Sequence, residues 1–276
     1  MREISTPYGE ATVQYIKSAA ELADELILIP GFSEGLPHLG RLGIELAQAS
    51  FNVTMLTQPR GGSLKDSLGI RALDRQGAAT LSLVEATSKP GTRHALAHSL
   101  GAAAALKAAR QYAEGHDNAR LFASITLMEP LGLVGNQSFA RLVDKMIRNV
   151  SANQDGARRD GNYDEISCAQ RAGALLIARQ PLLAFGEALA AGTYTMKEDA
   201  TAVMGTGTPL AIVAAYNDIM FPAQELQWSH VPAGVLCLEL IDSEAPHDSF
   251  WRYPGCTASL VRQLIDAAAQ NNIPEN

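Results

Sequence analysis

The sequence is poor in cysteine, and this shortage excludes two kinds of protein. Its three cysteines, Cys168, Cys237 and Cys256, lie far apart and include no C-x-x-C pair. Such spacing fits neither a disulfide framework nor a zinc site. We therefore expect three free thiols that pack as small apolar side chains in the protein interior.

Long apolar runs and basic clusters are also absent. The first 16 residues contain no basic segment followed by an apolar one, and the longest apolar runs, such as that around Ala102, are too short to cross a bilayer. The net charge is -7, and no stripe of Lys and Arg is available to neutralise phosphates. We predict a cytoplasmic monomer or homodimer with no membrane span and no nucleic-acid partner.

Signatures of cofactor and metal binding are missing as well. The chain has no G-x-G-x-x-G loop and no Walker sequence, and no pair of its six histidines has the spacing or the companions of a metal site. The sequence therefore predicts neither a cofactor nor a metal, and it favours a small-molecule substrate.

Short apolar runs alternate with longer helical patterns along most of the chain. With 47% apolar and 18% charged residues, the chain has enough material for a packed core. This alternation predicts an α/β fold with a doubly wound, mostly parallel sheet. The segment 8–16 is expected as a strand or hairpin at the sheet edge. The other predicted strands are 26–30, 53–56, 94–97, 125–128, 210–214 and 235–241, and the predicted crossover helices are 39–49, 70–86, 100–113 and 258–269.

The stretch 131–207 breaks this alternation. It holds helical patterns at 139–150, 166–178 and 182–190 with no convincing strand between them, and the polar segment 153–162 carries two glycine turn signals that predict a mobile loop. We therefore divide the chain into a core, 1–130 and 208–276, and a helical cap or lid, 131–207.

A candidate nucleophile lies directly after one predicted strand. In the sequence AHSLG at 97–101, Ser99 is placed on a tight turn between a strand and an alanine-rich helix, with small residues two positions before and after it. The N-terminus of that helix offers backbone donors and a partial positive charge to a developing oxyanion. The alternative interpretation is that Ser99 only caps the helix.

A second turn supplies a candidate oxyanion site. The sequence IPGF at 29–32 ends the first strongly apolar strand, and its glycine allows the chain to turn so that the Phe32 N–H faces the serine. The N–H groups of Phe32 and Leu100 are the two predicted oxyanion donors. Without Ser99, an ordinary Pro-Gly turn would be the better interpretation.

Together these motifs resemble the α/β-hydrolase superfamily, in its serine-nucleophile esterase and lipase branch. The segment PRGGS at 59–63 is similar to the turn that the family places after its fourth strand, and 97–101 is similar to its Gly-His-Ser-x-Gly elbow. Ala97 replaces the first elbow glycine, and Pro30 stands where many members have histidine. The resemblance implies a helical cap inserted between strands 6 and 7, and the chain order Ser, acid, His.

That order directs the search for the remaining catalytic residues. Asp218 follows the predicted strand 210–214, with Pro222 shortly after it, and is the expected acid; its alternative role is that of a turn residue. Glu129, at the end of 125–128, is the alternative acid. His247, in the loop after 235–241, is the expected base, because imidazole titrates near neutrality.

The predicted activity is hydrolysis of a carboxylic ester or thioester that bears a hydrophobic group. Substrate contacts are expected from Phe32, His98, Met220 and Phe221 together with the cap. A serine at the elbow disfavours the epoxide- and haloalkane-opening chemistries, for which the family uses Asp. Lactone or carbon–carbon bond hydrolysis, non-catalytic ligand binding, and an unrelated doubly wound domain are the alternatives.

Overall fold

The computed structural model describes residues 1–59, 70–87, 91–241, 247 and 249–271. In this part of the chain, an eight-stranded sheet has the order β1-β2-β4-β3-β5-β6-β7-β8. The pairs β1-β2 and β2-β4 are antiparallel, and every other pair is parallel. The strands are β1 (Arg2–Thr6), β2 (Gly9–Ile16), β3 (Asp24–Ile29), β4 (Phe51–Leu56), β5 (His94–His98), β6 (Ser124–Met128), β7 (Leu210–Ala215) and β8 (Cys237–Ile241).

Helices cover both faces of the sheet, as the doubly wound prediction requires. The helices are α1 (Leu36–Gln48), α2 (Ile70–Thr87), α3 (Leu100–Gly115), α4 (Phe139–Asp160), α5 (Tyr163–Arg179), α6 (Pro181–Thr193), α7 (Lys197–Gly205), α8 (Ser249–Arg252) and α9 (Pro254–Asn271). Successive side chains of a strand point to opposite faces. Accordingly, Ile27 and Ile29 join one apolar core with α2 and α3, whereas Leu26 and Leu28 join a second core with α1 and α9.

The N-terminal segment forms a hairpin at the edge of the sheet. Strands β1 and β2 pair in a register that places Ile4 opposite Ala11, and both side chains are buried. Strand β2 then pairs with β4. The hairpin was one of the two expected arrangements for this segment.

The insertion between β6 and β7 is helical, but its predicted loop is wrong. Helix α4 runs on to Asp160 and covers most of 153–162. Gly156 is accommodated because the Arg252 guanidinium packs against it: an ideal Cβ at this position would lie 2.0 Å from Arg252 Nη2. The second glycine signal is correct, since Gly161 has φ of 73° and ends the helix.

Two of the three cysteines lie at the surface. Cys168 and Cys256 are free thiols, but they are exposed, so the expected burial is wrong for both; they lie on the solvent side of α5 and α9.

Among the described residues, no helix by itself has both the length and the apolar composition to span a bilayer; α5 and α6 meet those criteria only when joined across a bend of 103°. In the motif at 59–63, everything after Pro59 lies outside the described residues.

Candidate active site

The turn between β5 and α3 holds Ser99 in a strained conformation. Its φ of 50° and ψ of -118° are unusual for a residue with a side chain. Glycine is required two residues later, because a Cβ on Gly101 would lie 2.4 Å from the Pro30 carbonyl oxygen. Ser99 stands at the N-cap position of α3, yet its side chain makes no capping hydrogen bond to that helix. The alternative role of Ser99 as a simple helix cap therefore has no support in this geometry.

The loops after β7 and β8 bring two further predicted residues to Ser99. His247 Nε2 lies 2.9 Å from Ser99 Oγ, and His247 Nδ1 lies 2.8 Å from Asp218 Oδ2. The other carboxylate oxygen, Asp218 Oδ1, accepts hydrogen bonds from the backbone N–H groups of Met220 and Phe221. All four oxygen and nitrogen atoms in the Ser99–His247–Asp218 series belong to buried residues.

The electrostatic surroundings of His247 favour its protonated form. Burial alone would lower its pKa, but the charge of Asp218 and its hydrogen bond outweigh burial and raise the pKa above the ordinary value. Glu129 acts in the same direction, while the charge of His98 opposes it. An imidazole in this position can accept a proton readily from a neighbouring hydroxyl.

The two predicted oxyanion donors belong to two segments that contact or adjoin Ser99. Leu100 is the first residue of α3, where the helix contributes a partial positive charge. Phe32 follows Gly31, and an ideal Cβ on Gly31 would lie 3.1 Å from Ser99 Cβ. The loop that carries the Phe32 N–H therefore packs directly against the turn that carries Ser99.

The alternative acid, Glu129, contacts His98. It is buried at the end of β6 with a positive φ of 45°, and its Oε2 lies 3.2 Å from His98 Nε2. Burial is the largest cause of the raised pKa of this carboxyl, and the charge of Asp218 adds to it. Among the described residues, the carboxylate that accepts the hydrogen bond of His247 Nδ1 is Asp218, not Glu129.

His98 lies under Ser99 and His247 and contacts several parts of the site. Its ring stacks on Phe250 at 4.0 Å, and its Nδ1 lies 2.8 Å from Glu34 Oε1. Glu34 is not among the residues predicted from the sequence. The available signal was an acidic residue three positions after Gly31. At this spacing the two residues are close enough for Glu34 Oε2 to accept a hydrogen bond from the Gly31 N–H.

The ligand-type atoms of His98, Glu129 and His247 lie within 4.8 Å of one another. Each residue already makes hydrogen bonds inside the site: His98 Nε2 contacts Glu129 Oε2 and the His247 carbonyl oxygen, and the His247 ring contacts Asp218 and Ser99. The hydrogen-bond network accounts for this cluster, and we assign no metal to it.

Two cavities meet at Ser99, and both also include Phe32, Met146 and Met220. The first is walled mainly by apolar side chains of α4, α6 and the core loops, including the predicted contact Phe221. The second is larger and contains His247 and His98 and polar residues of α4 and α5. The insertion thus contributes to the walls of both cavities.

One buried acid in the first cavity was not predicted. Glu187, from α6, is fully buried and accepts a hydrogen bond from Gln76 of α2. It is the single charged residue of a helix with the otherwise apolar sequence PLLAFGEALAAGT. That isolated charge was a signal that could have drawn attention to it.

The fold is shared with solved structures, although sequence comparison finds no relative. No protein-family model matches the chain, and no curated protein matches its sequence. An enol-lactonase from Burkholderia xenovorans has a TM-score of 0.65 at 11% identity, over 96% of this chain and 100% of that one. An α/β hydrolase from a deep-sea metagenome has a TM-score of 0.65 at 13% identity, over 96% and 97%.

An esterase from Thermogutta terrifontis is similar to the same extent, with a TM-score of 0.64 at 13% identity over 97% of this chain and 98% of that one. At these identities the likeness concerns the fold and not the reaction. The chain has the fold of the α/β-hydrolase superfamily, as the sequence motifs predicted.

Proposed function

We propose that this protein is a serine hydrolase that cleaves a carboxylic ester or thioester through an acyl-enzyme. One observation carries the proposal: Ser99 Oγ, the His247 ring and the Asp218 carboxylate form a continuous hydrogen-bonded series, with separations of 2.9 and 2.8 Å, at the ends of parallel strands. A hydroxyl, an imidazole and a carboxylate in this order are the components of nucleophilic acyl transfer.

Each residue has a defined role in the proposed reaction. Ser99 Oγ attacks the carbonyl carbon while His247 Nε2 takes its proton, and the N–H groups of Phe32 and Leu100 stabilise the oxyanion. His247 then returns the proton to the departing alcohol or thiol. Water repeats the sequence on the acyl-enzyme and releases the acid. Asp218 orients His247 and stabilises its positive charge.

The two cavities suit different parts of the substrate. The leaving group must lie near His247 Nε2, because that atom protonates it. His247 lines the larger, more polar cavity and is not among the residues of the apolar one. We therefore assign the acyl group to the apolar cavity, beside Leu142 and Val143, and the leaving group to the larger one.

Hydrolysis of nitrophenyl esters with acyl chains of two to eight carbons tests this function. We expect turnover by the wild type, a preference set by acyl length, and a loss of roughly 10⁶-fold in kcat for Ser99→Ala. Ser151→Ala, an exposed serine on α4, is the control and should retain full activity. Undiminished turnover by Ser99→Ala would contradict the proposal.

The same test should include thioester, lactone and diketone substrates, since all pass through similar oxyanions. We expect the open-chain esters or thioesters to have the highest kcat/KM. Turnover of lactones or diketones alone would instead assign the site to one of those two reactions. Binding without turnover across the whole panel would favour a ligand-binding protein.

A further inference from the structure

Three buried side chains outside the catalytic series connect the loops that carry it. Glu34 belongs to the loop after β3 that carries Phe32, here called the oxyanion loop. His98 lies directly before Ser99 at the end of β5, and Glu129 directly follows β6. Each of the three is less than a tenth exposed. His98 Nδ1 lies 2.8 Å from Glu34 Oε1, and His98 Nε2 lies 3.2 Å from Glu129 Oε2. The imidazole ring is thus placed between two carboxyl groups.

The same side chains also contact the backbone of the catalytic loops. Glu34 Oε2 accepts the Gly31 N–H at 2.5 Å, one residue before the oxyanion donor Phe32. At the opposite end, His98 Nε2 lies 2.9 Å from the carbonyl oxygen of His247. A single connected network therefore links the oxyanion loop, through the residue beside the nucleophile, to the backbone of the base.

The partners of His98 determine where its protons lie. A carbonyl oxygen can only accept, so the Nε2 that faces His247 must carry a proton. Glu34 Oε1 lies 2.8 Å from Nδ1, an ion-pair contact that lacks the alignment of a hydrogen bond. A bare nitrogen lone pair and a carboxylate oxygen would repel each other at this distance, so an ionised Glu34 requires a proton on Nδ1. Both ring nitrogens therefore carry a proton, which describes an imidazolium.

The pKa directions agree with this geometry. Burial alone would raise the pKa of the Glu34 carboxyl, but the charge of His98 lowers it. Burial would likewise lower the pKa of His98, but the charge of Glu34 at 2.8 Å and the hydrogen bond that His98 donates to Glu129 raise it well above its ordinary value.

We propose that Glu34, His98 and Glu129 form a charged clamp in which His98, protonated on both ring nitrogens, holds the oxyanion loop and the His247 backbone in register with Ser99. His98 is a positioning residue in this scheme and does not exchange protons with substrate. The catalytic consequence rests on the proposed hydrolase function, whereas the protonation state does not.

The protonation state can be measured without any substrate. In protein labelled with ¹⁵N-histidine, the His98 signals are those lost in His98→Gln, and His116→Gln, at an exposed site on the opposite end of α3, controls for the assignment. We expect both His98 nitrogens to be protonated at pH 8. In Glu34→Gln, one of them should lose its proton. A neutral His98 in the wild type at pH 8 would overturn the proposal, whether or not the protein hydrolyses esters.

Kinetics test the positioning role. Among the described residues, Asp218, Glu129 and His98 are the groups whose charges shift the His247 pKa, and of these the His98 charge lowers it. In His98→Gln we expect kcat to fall about 10²-fold with KM nearly unchanged, and the acidic limb of the pH profile to move to higher pH. Glu34→Gln should move the limb in the same direction.

A merely structural role for His98 would lower activity without moving that limb, and this result would contradict the clamp. The thermal midpoint of each variant separates loss of folding from loss of function. If His98→Gln does not fold, Glu34→Gln provides the same two readouts and decides the question alone.

Discussion

The strand-end loops and the helical insertion contribute different parts of the site. Ser99, Asp218 and His247 follow β5, β7 and β8, so the rigid parallel sheet fixes their separations. The opposing cavity walls come from α4, α5 and α6, which belong to the insertion. Under the proposed function, the core supplies the reacting groups and the insertion selects the molecule that is positioned for them.

The largest effect expected in the core concerns the choice of acid. Asp218→Asn should reduce kcat about 10⁴-fold, because an amide at this position favours the wrong tautomer of His247. Glu129→Gln should cost no more than about tenfold, because its described partner is His98. Steady-state kinetics on one ester compare the two, and a larger loss from Glu129→Gln would reverse the assignment.

The nucleophile turn gives the next effect. Gly101→Ala places a methyl group 2.4 and 2.5 Å from the carbonyl oxygens of Pro30 and Ile29, so backbone must move. We expect kcat to fall about 10²-fold with every substrate, since displacements near 1 Å have this cost. Gly115→Ala, on the same helix with nothing within 4 Å of the added methyl, is the matched control. Equal activities for the two variants would refute the argument.

A pH profile tests the base. Only neutral His247 can accept the Ser99 proton, and the charge and hydrogen bond of Asp218 outweigh burial and raise the His247 pKa above its ordinary value. Activity should therefore be full at alkaline pH and fall about tenfold per unit as the pH drops below that raised pKa. A profile of kcat/KM that is flat between pH 5 and 8 would count against His247.

Two substitutions on α4 probe the insertion. Val143 lines only the apolar cavity and Val150 only the larger one. Val143→Phe should shift preference toward shorter acyl chains by about tenfold, because the lost volume equals several methylenes. Val150→Phe should leave acyl preference unchanged and alter selectivity among leaving groups. If both variants change the same preference, the assignment of the cavities is wrong.

The core and the insertion also differ in how much of each could be predicted from the sequence. The sheet, its crossover helices and the candidate residues at the strand ends were predicted because local signals mark them: apolar runs followed by Gly, Ser or Asp turns. The loop predicted at 153–162 was wrong because its decisive contact is distant. Gly156 lies inside α4, and the guanidinium of Arg252, almost 100 residues later in the chain, packs against it where a side chain would otherwise be.

The clamp escaped prediction for a related reason. Glu34, His98 and Glu129 lie on three different turns, and only the parallel arrangement of β3, β5 and β6 brings them together. Their spacing along the chain carries no periodic signal. Glu34 and Glu187 are also buried, whereas residue type alone predicts that an acidic side chain is exposed.

The central claim, that Ser99 is the activated nucleophile, is tested most directly by labelling with a fluorophosphonate probe followed by peptide mass mapping. We expect a single label on the peptide that contains Ser99, its absence in Ser99→Ala, and slow labelling in Asp218→Asn. A label on another residue, labelling that persists in Ser99→Ala, or a wild-type protein that does not react would contradict it.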